Sequence, residues 1–153
     1  MLKVVVVFES KYGNTKLVAE KILEGIMEGG GIQVDINDFK EVNFDEIPKY
    51  DAVLIGCPNH FGRSTRSAEK FIDKLGELSL EDKSFAVFDT YLGKDFEKAV
   101  KKMEKSINEK ISKAKLLMPG LSVRVNGLKG PISEGELPKA KEFGVKIASL
   151  LKV

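Results

Sequence analysis

KVVVVFESKYGNT, Lys3 to Thr15, sets an unbroken apolar run directly against a short polar loop. A strand with one wet face alternates apolar and polar residues. Here Val4, Val5, Val6, Val7 and Phe8 are all apolar and mostly β-branched, the pattern of a strand covered on both faces. The next segment suits such a strand. From Lys16 to Met27, Val18, Ile22 and Ile26 recur at helical spacing, and Gly29 to Gly31 end the helix, because glycine readily adopts the left-handed backbone of a helix C-terminus.

The same alternation continues outward from this unit. IQVDI (Ile32 to Ile36), AVLIG (Ala52 to Gly56), FAVFD (Phe85 to Asp89) and LSVRV (Leu121 to Val125) read as four further strands. Between and after them, Ala68, Phe71, Ile72 and Leu75 mark one helix, and Phe96, Val100, Met103, Ile107 and Ile111 a second. Ala140, Phe143, Ile147 and Leu150 mark a last helix, with Ser133 or Glu134 expected as its cap. Strands alternating with helices predict an α/β fold with a doubly wound, five-stranded parallel sheet flanked by helices on both sides. Ligands of such sheets collect at the carboxyl ends of the strands, so the loops after Phe8, Gly56 and Asp89 are the ones to inspect.

A chain of 153 residues, 42% hydrophobic and 31% charged, is expected to form a single domain over residues 1–153. The leading apolar run is too short for a secretory signal or for the ~20 residues that span a bilayer, so no membrane partner and a cytoplasmic location are expected. Cys57 is the only cysteine and His60 the only histidine, which excludes an internal disulfide and leaves no metal site. The net charge of +2 is spread through mixed runs such as KAVKKMEKSINEK, which argues against a nucleic-acid partner. Abundant Lys and Glu beside the single glutamine, Gln33, match the composition of thermophilic proteins.

The loop ESKYGNT offers hydroxyls at Ser10 and Thr15, the amide of Asn14, a glycine that lets the backbone bend, and N–H groups close to a helix N-terminus. Unpaired amides and the positive end of the helix dipole together cradle an anion such as phosphate. The blander alternative is a plain helix start capped by Asn14 or Thr15. SKYGNT is similar to the phosphate loop of flavodoxins, which runs Ser/Thr-x-Thr/Tyr-Gly-Asn-Thr, and the likeness extends over essentially the whole chain, at a length that fits the short flavodoxins. That resemblance implies a flavodoxin-like sheet in the order 2-1-3-4-5. Flavodoxin is itself the reference case for that order, with FMN at the point where it reverses. It also implies FMN as cofactor, with Ser10, Lys11, Tyr12, Gly13, Asn14 and Thr15 around the phosphate.

CPNHFGRS, Cys57 to Ser64, raises a competing possibility, since Cys-x5-Arg is the spacing of a tyrosine-phosphatase loop. Such a loop needs consecutive amides aimed at the phosphate and a thiol of lowered pKa. Pro58 removes one of those amides, and a cysteine ending an apolar strand is more often a buried small residue. Under the flavodoxin resemblance the stretch instead borders the flavin ring, and Pro58, Phe61 and Gly62 match the family's P-x-x-F-G pattern. Pro58, Asn59, His60, Phe61, Gly62 and Arg63 are then ring-side residues. Thr90, Tyr91, Leu92 and Gly93 join them from the loop after the fourth strand, with Tyr91 similar in position to the family's stacking tyrosine. A receiver domain of the same fold would need a phosphorylatable aspartate where Gly56-Cys57 stands and paired acids where Glu9 stands alone.

The resemblance implies an electron-transfer flavoprotein with redox-protein partners and no catalytic residue of its own. The alternatives are an FMN-dependent quinone or NAD(P)H-linked reductase of the same group and, more remotely, a phosphatase using Cys57 and Arg63. One departure stands out: flavodoxins are typically acidic, whereas this chain has a pI near 8.5, with Lys11, Arg63 and Arg66 in or beside the expected site. Those cations are expected to ease reduction of a bound flavin and to favour an acidic partner.

Overall fold

Strand β1 (Leu2–Phe8) lies inside a parallel sheet, paired with β2 (Ile32–Asp38) on one side and β3 (Ala52–Pro58) on the other. β4 (Ser84–Tyr91) follows β3 in parallel, so the strand order is 2-1-3-4-5, as expected. This arrangement comes from a computed structural model that describes residues 1–153.

The apolar run of β1 has its explanation in the two faces of the sheet. Val5 and Val7 point to one side with Val53, Ile55, Phe85 and Val87, where α2 (Arg66–Leu75) and α3 (Lys98–Lys110) cover them with Phe71, Ile72, Met103 and Ile107. Val4, Val6 and Phe8 point to the other side with Leu54, Ala86 and Phe88. There they meet Val18, Ile22 and Ile26 of α1 (Asn14–Met27) and Phe143 and Ile147 of α4 (Glu136–Leu151). Because successive strand residues alternate between two dry faces, both must be apolar.

On the α1/α4 side the helices meet through glycine. A Cβ on Gly144 would stand 2.1 Å from the Ile22 carbonyl oxygen, and one on Gly25 would stand 2.0 Å from that of Lys141. Each glycine therefore lets one helix backbone rest on the other.

Four details depart from expectation. The fifth strand position is filled by two short pieces, β5 (Lys115–Leu116) and β6 (Leu121–Arg124), both parallel to β4. Between them lies Met118-Pro119-Gly120; Pro119 has no ladder donor, and Gly120 packs so tightly on Val87 and Val100 that a side chain there would collide with both. Phe96 precedes α3 and is exposed, its ring edge-on to Tyr91 at 5.4 Å, rather than on the buried helix face. The cap of α4 is Gly135, in the left-handed conformation, and not Ser133 or Glu134. Neither Asn14 nor Thr15 caps α1: Gly13 takes that place at φ +92°, with no side-chain cap.

No helix is long and apolar enough to cross a membrane.

Candidate functional site

The three loops singled out from the sequence meet at the carboxyl edge of the sheet, held together by hydrogen bonds between strands. The Thr15 and Thr90 hydroxyls are 3.0 Å apart and share a buried hydrogen bond, tying the start of α1 to the end of β4. The Asn59 backbone N–H and side-chain amide both donate to the Thr90 carbonyl, at 2.9 and 3.2 Å. The Glu9 N–H donates to Gly56 O at 3.1 Å. Residues 9–15, 58–63 and 90–93 thus form one rim.

The four helix N-termini differ in how fully their amides are satisfied. The start of α2 is closed by the Thr65 hydroxyl, which accepts from Ala68 N–H, with Glu69 in its first turn; α4 carries Glu136 in its own first turn. The start of α3 is closed by side chains from elsewhere: Glu97 N–H donates to Ser122 Oγ, Ala99 N–H to Asn59 Oδ1 and Val100 N–H to Asp89 Oδ2. The start of α1 has no acidic residue in its first turn, and Gly13 at its cap has no side chain to accept an amide. Ser10 Oγ accepts from Gly13 and Lys16 N–H, while the amides of Ser10, Lys11, Tyr12, Asn14 and Thr15 have no acceptor within the protein. A Cβ on Gly13 would meet nothing within 4 Å, so the loop is open above its bend. Free amides, two hydroxyls and an open positive helix end fit a phosphate monoester.

The neighbouring cavity on the β2 side does not fit one. It encloses about 400 Å³ and shares Ser10, Gly13 and Lys16, but it also holds Glu20, Asp38 and Glu41, which oppose an anion.

The ring-side stretch forms a tight turn. His60 and Arg63 exchange backbone hydrogen bonds at 2.7 and 3.3 Å, and Phe61 and Gly62 between them both have positive φ, 53° and 74°. A phenylalanine in the left-handed region is strained, and this one is also 87% exposed, with His60 beside its ring. Such strain is kept most often at functional positions. Pro58 ends β3 opposite Thr90, and Tyr91, half-buried, lies at the end of β4, with Leu92 and Gly93 exposed beyond it. Lys11 and Lys129 both approach the Tyr12 ring, at 5.5 and 5.9 Å from its centroid.

Cys57 plays no part in this rim. It is fully buried on the α2/α3 face with its thiol 3.8 Å from Met103 Sδ, and burial pushes its pKa up to about 12. A thiol that is buried and protonated is no nucleophile, which removes the phosphatase alternative.

Sequence inspection missed Asp89. Its carboxylate is fully buried beneath the rim, accepting from Val100 N–H at 3.0 Å and from the Ser122 hydroxyl at 2.6 Å. Burial raises its pKa to about 6 against the pull of those donors. The only signal was an acidic residue closing an apolar strand. The loop at residues 126–131 was missed as well: Gly130 sits so close to the Asn14 side chain that a Cβ there would be 2.6 Å from its oxygen.

A family model described as flavodoxin matches residues 6–135. A flavodoxin of Clostridium saccharobutylicum is 29% identical over 89 residues, covering 58% of this chain and 56% of that protein. An NAD(P)H dehydrogenase (quinone) of Archaeoglobus fulgidus is 28% identical over 116 residues, with 58% and 61% covered. The chain therefore spans less than two thirds of either relative. Among solved structures, a flavodoxin from the domain Archaea superposes with a TM-score of 0.85 at 28% identity, covering 99% of this chain and all of that one.

Proposed function

The chain belongs to the flavodoxin family, whose members bind FMN, and from that premise we propose that it carries electrons, one at a time, between partner proteins. In this reading Ser10, Lys11, Tyr12, Gly13, Asn14 and Thr15 hold the phosphate, while Pro58 to Arg63 and Thr90 to Gly93 border the ring, with Tyr91 stacked on it. The observation that carries it is the run of free amides in the first loop and at the start of α1, where the only side chain accepting from the helix end is Ser10, through Oγ. Bound flavin supplies the redox chemistry, and the chain supplies position, shielding and charge. The loop amides orient the phosphate, the Thr15–Thr90 hydrogen bond holds the phosphate side against the ring side, and Phe61 shields one edge. Lys11 adds positive charge on the phosphate side, which favours an acidic partner.

A second reading, a quinone reductase, is favoured by the Archaeoglobus fulgidus relative. Against it, the cavity beside the ring-side turn is lined by no hydrophobic residue, and a quinone ring needs apolar walls. Purified protein is expected to be yellow, to release FMN on denaturation, and to show no steady-state oxidation of NAD(P)H by quinone. Sustained turnover would favour the reductase, and colourless protein that does not take up added FMN would remove both readings.

Phe61 provides a sharper test. Phe61→Gly removes left-handed strain from an exposed residue, so the protein without FMN should gain about 1 kcal/mol in denaturant unfolding. The lost aromatic contact should weaken FMN about fivefold in fluorescence titration. An unchanged FMN affinity would detach Phe61 from the ring.

A further inference from the structure

The ring-side turn has a second flank, away from the first loop. There His60, Arg63, Ser64, Arg66, Glu69 and Lys102 enclose a cavity of about 390 Å³ with no hydrophobic residue in its wall. The three permanent cations come from three separate elements. Arg63 closes the hydrogen-bonded turn, Arg66 opens α2, and Lys102 lies in the early part of α3.

Nine of the chain's 25 lysines and arginines form ion pairs with carboxylates, namely Lys21, Lys49, Lys98, Lys101, Lys105, Lys110, Lys113, Lys139 and Lys141. Arg63, Arg66 and Lys102 form none. The one carboxylate in the cavity wall is already engaged elsewhere. Glu69 accepts from the Ser64 and Ser106 hydroxyls, each at 2.5 Å, one to each oxygen, and so is tied to the wall. Like charges gathered around one concave site repel one another unless an anion joins them, and a concave wall focuses their field. Two guanidinium groups with an ammonium suit the tetrahedral oxygens of phosphate better than a single carboxylate, because each fork bonds two oxygens.

We propose that this cavity is a second anion site, distinct from the β1–α1 loop, which binds a phosphate dianion through Arg63, Arg66 and Lys102. The phosphate is either free or borne by a nucleotide. Nothing in the proposal requires FMN at the first loop, so the two assignments can fail separately.

Calorimetric titration of FMN-saturated protein with inorganic phosphate and with adenosine 2′-monophosphate, at low ionic strength, tests it. Binding of both is expected, weakened at least about tenfold in the Arg66→Gln/Lys102→Gln double variant. Tighter binding of the nucleotide would identify a nucleotide as the source, and equal binding would identify free phosphate; either supports the site. Absence of binding by both probes would overturn it, as would equal affinity in the double variant. Binding of hexaglutamate with no response to either phosphate would also overturn it, in favour of an acidic protein surface. Loss of FMN binding with phosphate binding retained would strike the first-loop assignment alone.

Discussion

Gly144→Ala is expected to cost about 3 kcal/mol or more in denaturant unfolding, with Gly25→Ala close to it. The methyl group of either variant would lie 2.0 to 2.1 Å from a backbone carbonyl oxygen of the opposite helix. A flexible side chain would swing aside, but a helix backbone moves only as a whole, carrying Ile22, Ile26, Phe143 and Ile147 out of register with the sheet. Gly29→Ala is the control. Its methyl group would meet only the end of the Lys152 side chain, at 3.1 Å, and its effect should stay within about 0.5 kcal/mol. The two damaging changes should also add to less than their sum, because the first to part the helices makes room for the second. Full additivity would mean that the glycines act through separate local clashes.

Asp89→Ala is expected to destabilise by about 3 kcal/mol at neutral pH, since Val100 N–H and the Ser122 hydroxyl lose their buried acceptor. The milder Asp89→Asn isolates the charge. Burial raises Asp89 from 3.8 to about 6, so between those values the folded chain holds a proton that the unfolded chain has released. Stability from this group is therefore fully present below about pH 4 and is lost as pH rises through about 6, a change of about 3 kcal/mol. Glu136, held below the usual carboxylate range by the Arg124 N–H and by Lys139 despite its own partial burial, works in the opposite direction. The informative quantity is the difference between native protein and Asp89→Asn across pH 4 to 7, which should slope through that window. A flat difference would show that Asp89 titrates normally.

Much of the fold was legible because its signals are local. Val4 to Phe8 declare a doubly buried strand, and Val18, Ile22 and Ile26 a helix face, without reference to anything distant. The open helix start at residues 10–15 was legible for the same reason, since its hydroxyls, glycine and helix start are consecutive. The strand break at Pro119 was open to view, but LSVRV alternates well enough to read as a whole strand when it is only the second of two pieces. Phe96 kept helical spacing with Val100 yet lies outside the helix, because α3 begins only where Asp89, Asn59 and Ser122 satisfy its amides. Those partners come from three places in the chain, and no window along the sequence contains them together. Asp89 stayed hidden for that reason, as did the basic cavity, whose cations lie on a turn and two helices.

The interruption at Pro119 also bears on how copies of this chain behave toward one another. On that flank of the sheet the longest unbroken strand piece is four residues, too short a row of free amides to template a strand from a second molecule. The opposite flank, β2, is longer but carries Gln33, Asp35, Asn37 and Asp38, whose polarity and charge discourage the same event. With both margins blunted, edge-to-edge stacking of the kind that leads to fibrils is expected to be disfavoured.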